Sequence, residues 1–455
     1  MIHARLRMVS IFTIVALASI ATLATADDWP QWRGPDRDGV WHETGLITEF
    51  SGPQIEPKWR TPISNGYSSP SVADGRVYVM DRFIEPKETE RVLCLDADTG
   101  AEIWKFEYEC EYRRFTYQDG PRSSVTIVDG RAFSFGSMGH FFAFDAATGK
   151  VLWKKNPETD YQVRLPVWGM AAAPLVEDDL VIVQMGAKEG ACIVALDVAT
   201  GAERWRALDD KASYSPPVMI EQGGKRVLVC WTGMSIVGLN PETGAEYWGL
   251  DTPAEKIIIN ISPPIASGDN LFLTSFYDGS YLLKLGYDDA PTAEQVWRRL
   301  GKSERRTDAL HSINSTPLFF DGYVYGVDSY GELRCLEAST GDRVWEDLTA
   351  VPKARWATIH MVRNGDKVWM FNEMGELIIA ELSPDGYKEI SRAKLIEPTE
   401  GQYSGSFSSV TKKGEKATKP ISNNTGVIWS HPAYANKHVF IRNDKELICA
   451  SLAAD

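Results

Sequence analysis

The 455-residue chain is 44% hydrophobic and 24% charged, an ordinary balance for a folded chain with a large core. Its formal charge of −14 excludes non-specific attraction to nucleic acid or anionic lipid, since both repel it. None of its six cysteines falls in C-x-x-C or metal-ligand spacing, which argues against zinc and redox-motif chemistry.

Residues 1–26 read as an export signal. Arg5 and Arg7 form the positive start, Val9–Leu23 the apolar stretch, and Ala24-Thr25-Ala26 an A-x-A cleavage site. A membrane anchor is the competing reading, but the run is short of the roughly 20 residues that a spanning helix needs. No later stretch is apolar enough to span, and no Cys sits at the cleavage site to take a lipid. Cleavage predicts an exported protein, periplasmic or extracellular.

Residues 27–56 are rich in Trp, Pro, Gly and charge, without helical or strand period. They are expected to form an irregular arm docked by Trp29, Trp32 and Trp41. Ligand stacking by these rings is the alternative.

Residues 57–455 are organised by a repeat. Val92–Trp104 reads VLCLDADTGAEIW, and close copies end at Trp153, Trp205, Trp248 and Trp345. The Trp position runs Trp59, Trp104, Trp153, Trp205, Trp248, Trp297, Trp345 and then Ile390, at intervals of 45, 49, 52, 43, 49, 48 and 45. In the first complete unit Ser68–Ala73, Arg76–Met80, Val92–Leu95 and Glu102–Phe106 alternate as strands, separated by D-G and D-x-x-T-G turns. Four strands per ~40–50 residues is the period of propeller blades. The last unit, Trp429–Leu452, has three strands, and the orphan segment at Trp59 is its fourth. The expected fold is therefore all-β, an eight-bladed β-propeller of four-stranded blades whose last blade is closed by an N-terminal strand, which pairs two otherwise exposed edges. Cys94 and Cys335 fall at one position of different repeats, so mostly buried free thiols are expected.

The L-x-A-L-D-x-x-T-G-x-x-x-W pattern resembles the pyrroloquinoline-quinone (PQQ) repeat of quinoprotein-like propellers, over about Pro57–Leu452. The opening WPQWRGPDRDG resembles exported bacterial members of that group. Eight blades are similar to the BamB-like assembly lipoproteins and to the quinoprotein alcohol dehydrogenases. For the dehydrogenases the resemblance implies a quinone held beside Ca²⁺ by Glu, Asn and Asp, with an Asp as base. No such ligand set matches residue by residue here, and no two cysteines are adjacent as they often are in those enzymes.

The connections between blades are long, as in Glu107–Gly120, Asn156–Val167, Gly249–Ile259, Gly301–Leu310 and the Ser-, Gly- and Lys-rich Glu400–Gly426. They mark one face, the top, as the functional candidate. Aligned starts of the inner strands place Pro70, Val125, Pro174, Pro217, Pro264, Pro317, His360 and Pro432 at one position. Two residues earlier the side chain is always small, which crowding at the central axis would explain. Three residues earlier the residues vary. Tyr67, Arg122, Trp168, Tyr214, His311, Asn314, Trp356, Trp429 and His431 are the candidate ligand-binding ring at the channel mouth. Packing accounts for each alone, but together they suit a flat or polar ligand.

Among described motif classes there is no G-x-S-x-G, H-E-x-x-H, P-loop or calcium loop in the sequence. Three functions stay open: a non-catalytic exported scaffold with a protein or small polar ligand on the top face and no cofactor, a dehydrogenase using PQQ with calcium, and a carbohydrate-binding surface protein.

Overall fold

The computed structural model describes residues 27–113, 116–399, 407–410, 416–419 and 426–454. The expected export signal lies outside them. Eight four-stranded antiparallel sheets follow one another around an axis. Blades 1 to 4 span Ser71–Glu109, Thr126–Lys155, Leu175–Ala207 and Val218–Asp251, and blades 5 to 7 span Ile265–Arg299, Leu318–Asp347 and Ile359–Lys394. Blade 8 combines Ala433–Ala435, His438–Arg442 and Glu446–Ser451 with Trp59–Pro62, which pairs antiparallel with the last of these. The ring closes where the Arg442 guanidinium, fully buried in blade 8, donates to the Met80 carbonyl of blade 1 at 2.8 Å. All six cysteines are free and buried.

The repeat is legible as a lock between blades. In blade 1 the Asp96 carboxylate accepts the Thr99 amide at 2.8 Å and the Thr99 hydroxyl at 2.7 Å, and Gly100 closes the turn at φ 72°. The Trp of the preceding blade's outer strand lies on that turn. Trp59 donates its indole N–H to Ala97 O, and Trp104, Trp153, Trp205, Trp297 and Trp345 donate likewise to Ala146, Val198, Pro241, Ala338 and Ser383, all at 2.8–3.0 Å. A methyl group on Gly149 would come within 2.6 Å of the Trp104 ring. Thr-Gly and Trp therefore recur together because one makes room for the other across the blade boundary. Trp248 departs from the rule and donates to Gln222 of its own blade, facing a next-blade outer turn, around Asp288–Ala290, that lacks the motif; the Ser383–Gly386 turn lacks it too, yet its Ser383 O still accepts Trp345. Gly149→Ala combines that clash with an L-residue at positive φ, and is expected to cost about 2–4 kcal/mol, read as a fall in urea midpoint at unchanged m.

Two expectations shift. The inner strand of blade 1 covers only Ser71–Ala73, not Ser68–Ala73. The amides of Tyr67 and Ser68 instead donate to Pro121 O of the neighbouring blade, since Pro70 has no N–H to continue the ladder. Within the Glu400–Gly426 connection, Phe407–Val410 and Lys416–Lys419 pair as a hairpin.

The arm crosses the bottom of the axis. Trp29 pairs with Val72 of blade 1, Pro30 O accepts Ile127 N of blade 2, and Gly39 and Trp41 bond Arg363 of blade 7. Trp29 and Trp41 are 1% exposed and pack with Trp369 and Tyr434. Arg37 reaches furthest in, donating to Pro217 O at 3.2 Å and to Pro174 O. The arm thus closes the lower end of the channel.

Candidate functional site: a blind aromatic cavity at the top of the channel

The segment leading into each inner strand is extended, so alternate side chains face the axis. Positions three and one before the aligned Pro line a cavity of about 190 Å³. They are Tyr67 and Ser69 from blade 1, Arg122 and Ser124 from blade 2, Ala171 and Ala173 from blade 3, Tyr214 and Pro216 from blade 4, Asn314 and Thr316 from blade 6, and Trp429 and His431 from blade 8, while blade 5 supplies only Ile261 of its pair and blade 7 supplies Trp356 and His360 instead. The small residues between them do not line it. Ser68, Ser123, Ser215 and Thr358 are fully buried within the blades, where Ser68 accepts Met80 N and Ser315 accepts Ile359 N. Crowding beneath neighbouring blades, not at the axis, keeps that position small.

Eight of the nine candidates meet here: Tyr67, Arg122, Trp168, Tyr214, Asn314, Trp356, Trp429 and His431. His311 does not. It is 1% exposed, with Nδ1 3.1 Å from Phe276 O and Nε2 accepting Gly301 N at 3.2 Å. Both ring nitrogens are spent on tying the loops of blades 5 and 6, so His311 lies outside the cavity. Trp32, for which ligand stacking was the alternative to docking, lines the cavity too, as do Tyr117 and His360, which were not singled out as ligand-binding. His360 carried a signal, as the one polar residue at the aligned Pro position. Nothing local to Trp32 says that the arm threads the axis.

The walls are aromatic. Tyr67 stacks on Trp429 at 6.2 Å and 22°, Trp356 meets Trp429 edge-on, and Trp168 packs on Tyr214, whose hydroxyl accepts the Trp168 amide. The Arg122 guanidinium lies 4.8 Å over the Tyr67 ring, and the Tyr67 hydroxyl donates to Asp119 at 2.9 Å. Trp356 sits at φ 68°, a conformation rare for a bulky residue, pinned by its amide to Ser329 O at 2.9 Å. Strain of this kind concentrates at functional sites.

Two buried polar atoms among the lining residues have no partner: Trp356 Nε1, a donor, and His431 Nε2. His431 Nδ1 lies 3.3 Å from Pro432 O, so Nδ1 carries the hydrogen and Nε2 is an acceptor. Burial, reinforced by neighbouring His360 and by Arg33, holds the His431 imidazole well below its usual range. His360 donates Nε2–H to Trp429 O at 2.9 Å, and burial pushes it down to about 4. A group neutral when folded but protonated when unfolded stabilises the fold above the unfolded pKa of about 6.5, and that stability is lost as pH falls toward 4. The expected loss is up to about 3 kcal/mol, and His360→Gln should flatten part of that acid limb in pH-resolved urea melts.

No carboxylate lines the cavity, while cations surround its floor. Arg33 sits beneath with its guanidinium 5.7 Å over Trp32, in a small pocket shared with His360 and His431. It donates to the carbonyls of Arg37 and Asp38, and burial pushes it down to about 10. Arg37 is pushed to about 9 by the same cause. Among the described residues there is no group of three or more His, Cys, Asp or Glu placed to hold a metal ion, and no helix long and apolar enough to cross a membrane.

Closed blades locked by Trp across a D-x-x-T-G turn, around a blind aromatic cavity, define an eight-bladed propeller of the quinoprotein-like kind. The model of the PQQ-repeat family described as outer membrane protein assembly factor BamB matches residues 88–347, and the chain belongs to that family. BamB of Burkholderia pseudomallei is 23% identical over 316 residues, 66% of this chain and 71% of its own length. The quinohemoprotein alcohol dehydrogenase ADH-IIG of Pseudomonas putida is 28% identical over 246 residues, 50% of this chain but 32% of its own length. Among solved structures, BamB from Moraxella catarrhalis superposes with a TM-score of 0.56 at 15% identity, covering 87% of this chain and 99% of the other. Quinohemoprotein alcohol dehydrogenase from Comamonas testosteroni does so with a TM-score of 0.61 at 14% identity, covering 94% and 81%. These likenesses establish the shared fold.

Proposed function

We propose that this protein is an exported, non-catalytic binding propeller that takes a planar, polar, negatively charged small molecule in its top cavity. The chemistry of the walls carries the reading. Aromatic faces offer stacking, Trp356 Nε1 and His431 Nε2 offer one donor and one acceptor, and Arg122 in the wall with Arg33 below favours an anion over a cation. A buried donor or acceptor left unmatched costs about 1–3 kcal/mol, so a ligand that satisfies both gains specificity.

The quinoprotein alternative asks for PQQ beside Ca²⁺. Calcium takes six to eight oxygen ligands, carboxylates prominent among them. The lining residues offer hydroxyls, one amide and the imidazoles of His360 and His431 but no carboxylate, with Arg122 in the wall and Arg33 below, a donor set that does not fit calcium. Export of the chain follows from the reading of residues 1–26 and is consistent with the outer-membrane relatives. An assembly role with a protein partner, which those relatives' name suggests, would use the same rigid frame.

The test is titration of the purified chain, followed by tryptophan fluorescence, with a quinoline dicarboxylate, its neutral diamide, maltohexaose, and PQQ with and without Ca²⁺. Saturable quenching by the dicarboxylate, and by PQQ independently of Ca²⁺, is expected, without dye-linked alcohol oxidation. Calcium-dependent PQQ binding with turnover, or binding of maltohexaose alone, would overturn the reading.

A further inference from the structure

Glu43 lies in the arm, 8% exposed. Its carboxylate accepts three N–H groups: the Trp41 indole at 2.9 Å, the Lys437 amide in the bottom turn of blade 8 at 2.6 Å, and the Asp27 backbone nitrogen at 3.3 Å. Among the described residues no Lys, Arg or His side chain forms an ion pair with it. Asp27, Asp28 and Asp74 add negative charge nearby. Burial first, then these carboxylates and Glu43, push the Asp28 carboxyl up. A buried carboxylate held only by neutral donors, in a field of its own sign, lacks the cation that ordinarily accompanies it. The nitrogen pointing at it belongs to the residue that follows the A-x-A motif Ala24-Thr25-Ala26.

We propose that export processing supplies this cation: cleavage after Ala26 turns the Asp27 nitrogen into an α-ammonium that pairs with Glu43 and locks the arm under the propeller. A signal peptidase hydrolyses the Ala26–Asp27 peptide bond with one water. The acyl carbon leaves as the Ala26 carboxylate on the released peptide, and the amide nitrogen gains hydrogen to become the primary amine, protonated at neutral pH because a free α-amino group titrates near 7.7–8.0 and an adjacent carboxylate raises it. The hydrogen bond already in place becomes charge-assisted, roughly doubling in strength. Glu43 joins the arm to blade 8, and the arm carries Trp32 and Arg33 to the cavity floor. Processing thus ties the completed floor to the exported state of the protein.

The experiment has two readouts. Intact mass and N-terminal sequencing of the exported protein should show a chain starting at Asp27. A start at any other residue would overturn the proposal. The chain starting at Asp27 is then compared with one that retains Ala26, each with and without Glu43→Gln. The authentic start should melt about 2–4 °C higher than the extended one, and Glu43→Gln should abolish the difference. Equal melting of the two starts, or a difference indifferent to Glu43→Gln, would sink the idea. Should Glu43→Gln fail to fold, Nα-carbamylation of the authentic chain with cyanate near pH 7 neutralises its α-amine, and the extended chain treated alike corrects for reaction at lysines. A fall of the same size supports the pair, and no change overturns it.

Discussion

Trp205→Ala is expected to destabilise the protein by about 3–5 kcal/mol, the range for deleting a large buried ring. The Trp205 side chain is 8% exposed and belongs to a cluster that joins Ile182, Cys192 and Ala195 of blade 3 to Leu228, Val237 and Leu239 of blade 4. Its indole N–H bonds Pro241 O across the boundary at 2.9 Å. The ring also closes the space that Gly244, at φ 71°, leaves open by having no side chain. Truncation therefore removes apolar burial, a hydrogen bond and the contact that fixes blade spacing, with no neighbour able to collapse into the gap. Urea unfolding should show a lower midpoint at unchanged m. Trp205→Phe keeps most of the ring and loses the bond to Pro241, so about 1 kcal/mol is expected. A loss below ~1 kcal/mol for Trp205→Ala would mean that Trp205 does not lock the two blades.

The same residue shows why the fold could be read from sequence and the site only in part. A Trp eight positions after an Asp, with Thr-Gly between, recurs because each blade solves one packing problem in the same way, and repeated solutions are visible as periodicity. Counting three strands left over at one end and one at the other was enough to expect the closure at Trp59, which pairs with Cys449. The cavity is built from departures within that frame. Lead-in segments reveal eight of its members because extended backbone alternates faces, a rule that blade 7 breaks by presenting Trp356 and His360 instead of Ala357 and Ile359. It failed for His311, since adjacency in sequence to a lining position does not say which way a ring turns. It also misjudged why the small position is small. Trp32 was open to a stacking role in the sequence, but its place under the cavity, and that of Arg33, were not readable for a different reason. An irregular arm has no period, and its path across the axis is set by contacts with Val72, Ile127 and Arg363, residues distant in sequence.

Arg33→Met is expected to weaken binding of the quinoline dicarboxylate at least tenfold while changing affinity for its neutral diamide less than about threefold. Arg33 is 7% exposed and bonds only backbone carbonyls of the arm. A fall of its pKa from 12.5 to about 10 corresponds to a burial penalty on the order of 3 kcal/mol at neutral pH. Methionine fills similar volume without that penalty but leaves the carbonyls of Arg37 and Asp38 to water. The two effects oppose, so net stability should move by no more than about 1–2 kcal/mol. A cation that contributes little to stability yet sits under an aromatic cavity free of carboxylates is placed to act on the anion proposed to enter it. Coulomb energy at an effective dielectric near 20 is about 2 kcal/mol for unit charges roughly 8 Å apart, enough for the tenfold factor. Two further readings tie the effect to charge rather than shape. The salt dependence of dicarboxylate binding should flatten in the variant, and the His360 imidazole, which Arg33 helps to hold down, should titrate higher in histidine-resolved NMR. Equal losses for the charged and neutral ligands would show that Arg33 shapes the floor instead of setting its potential.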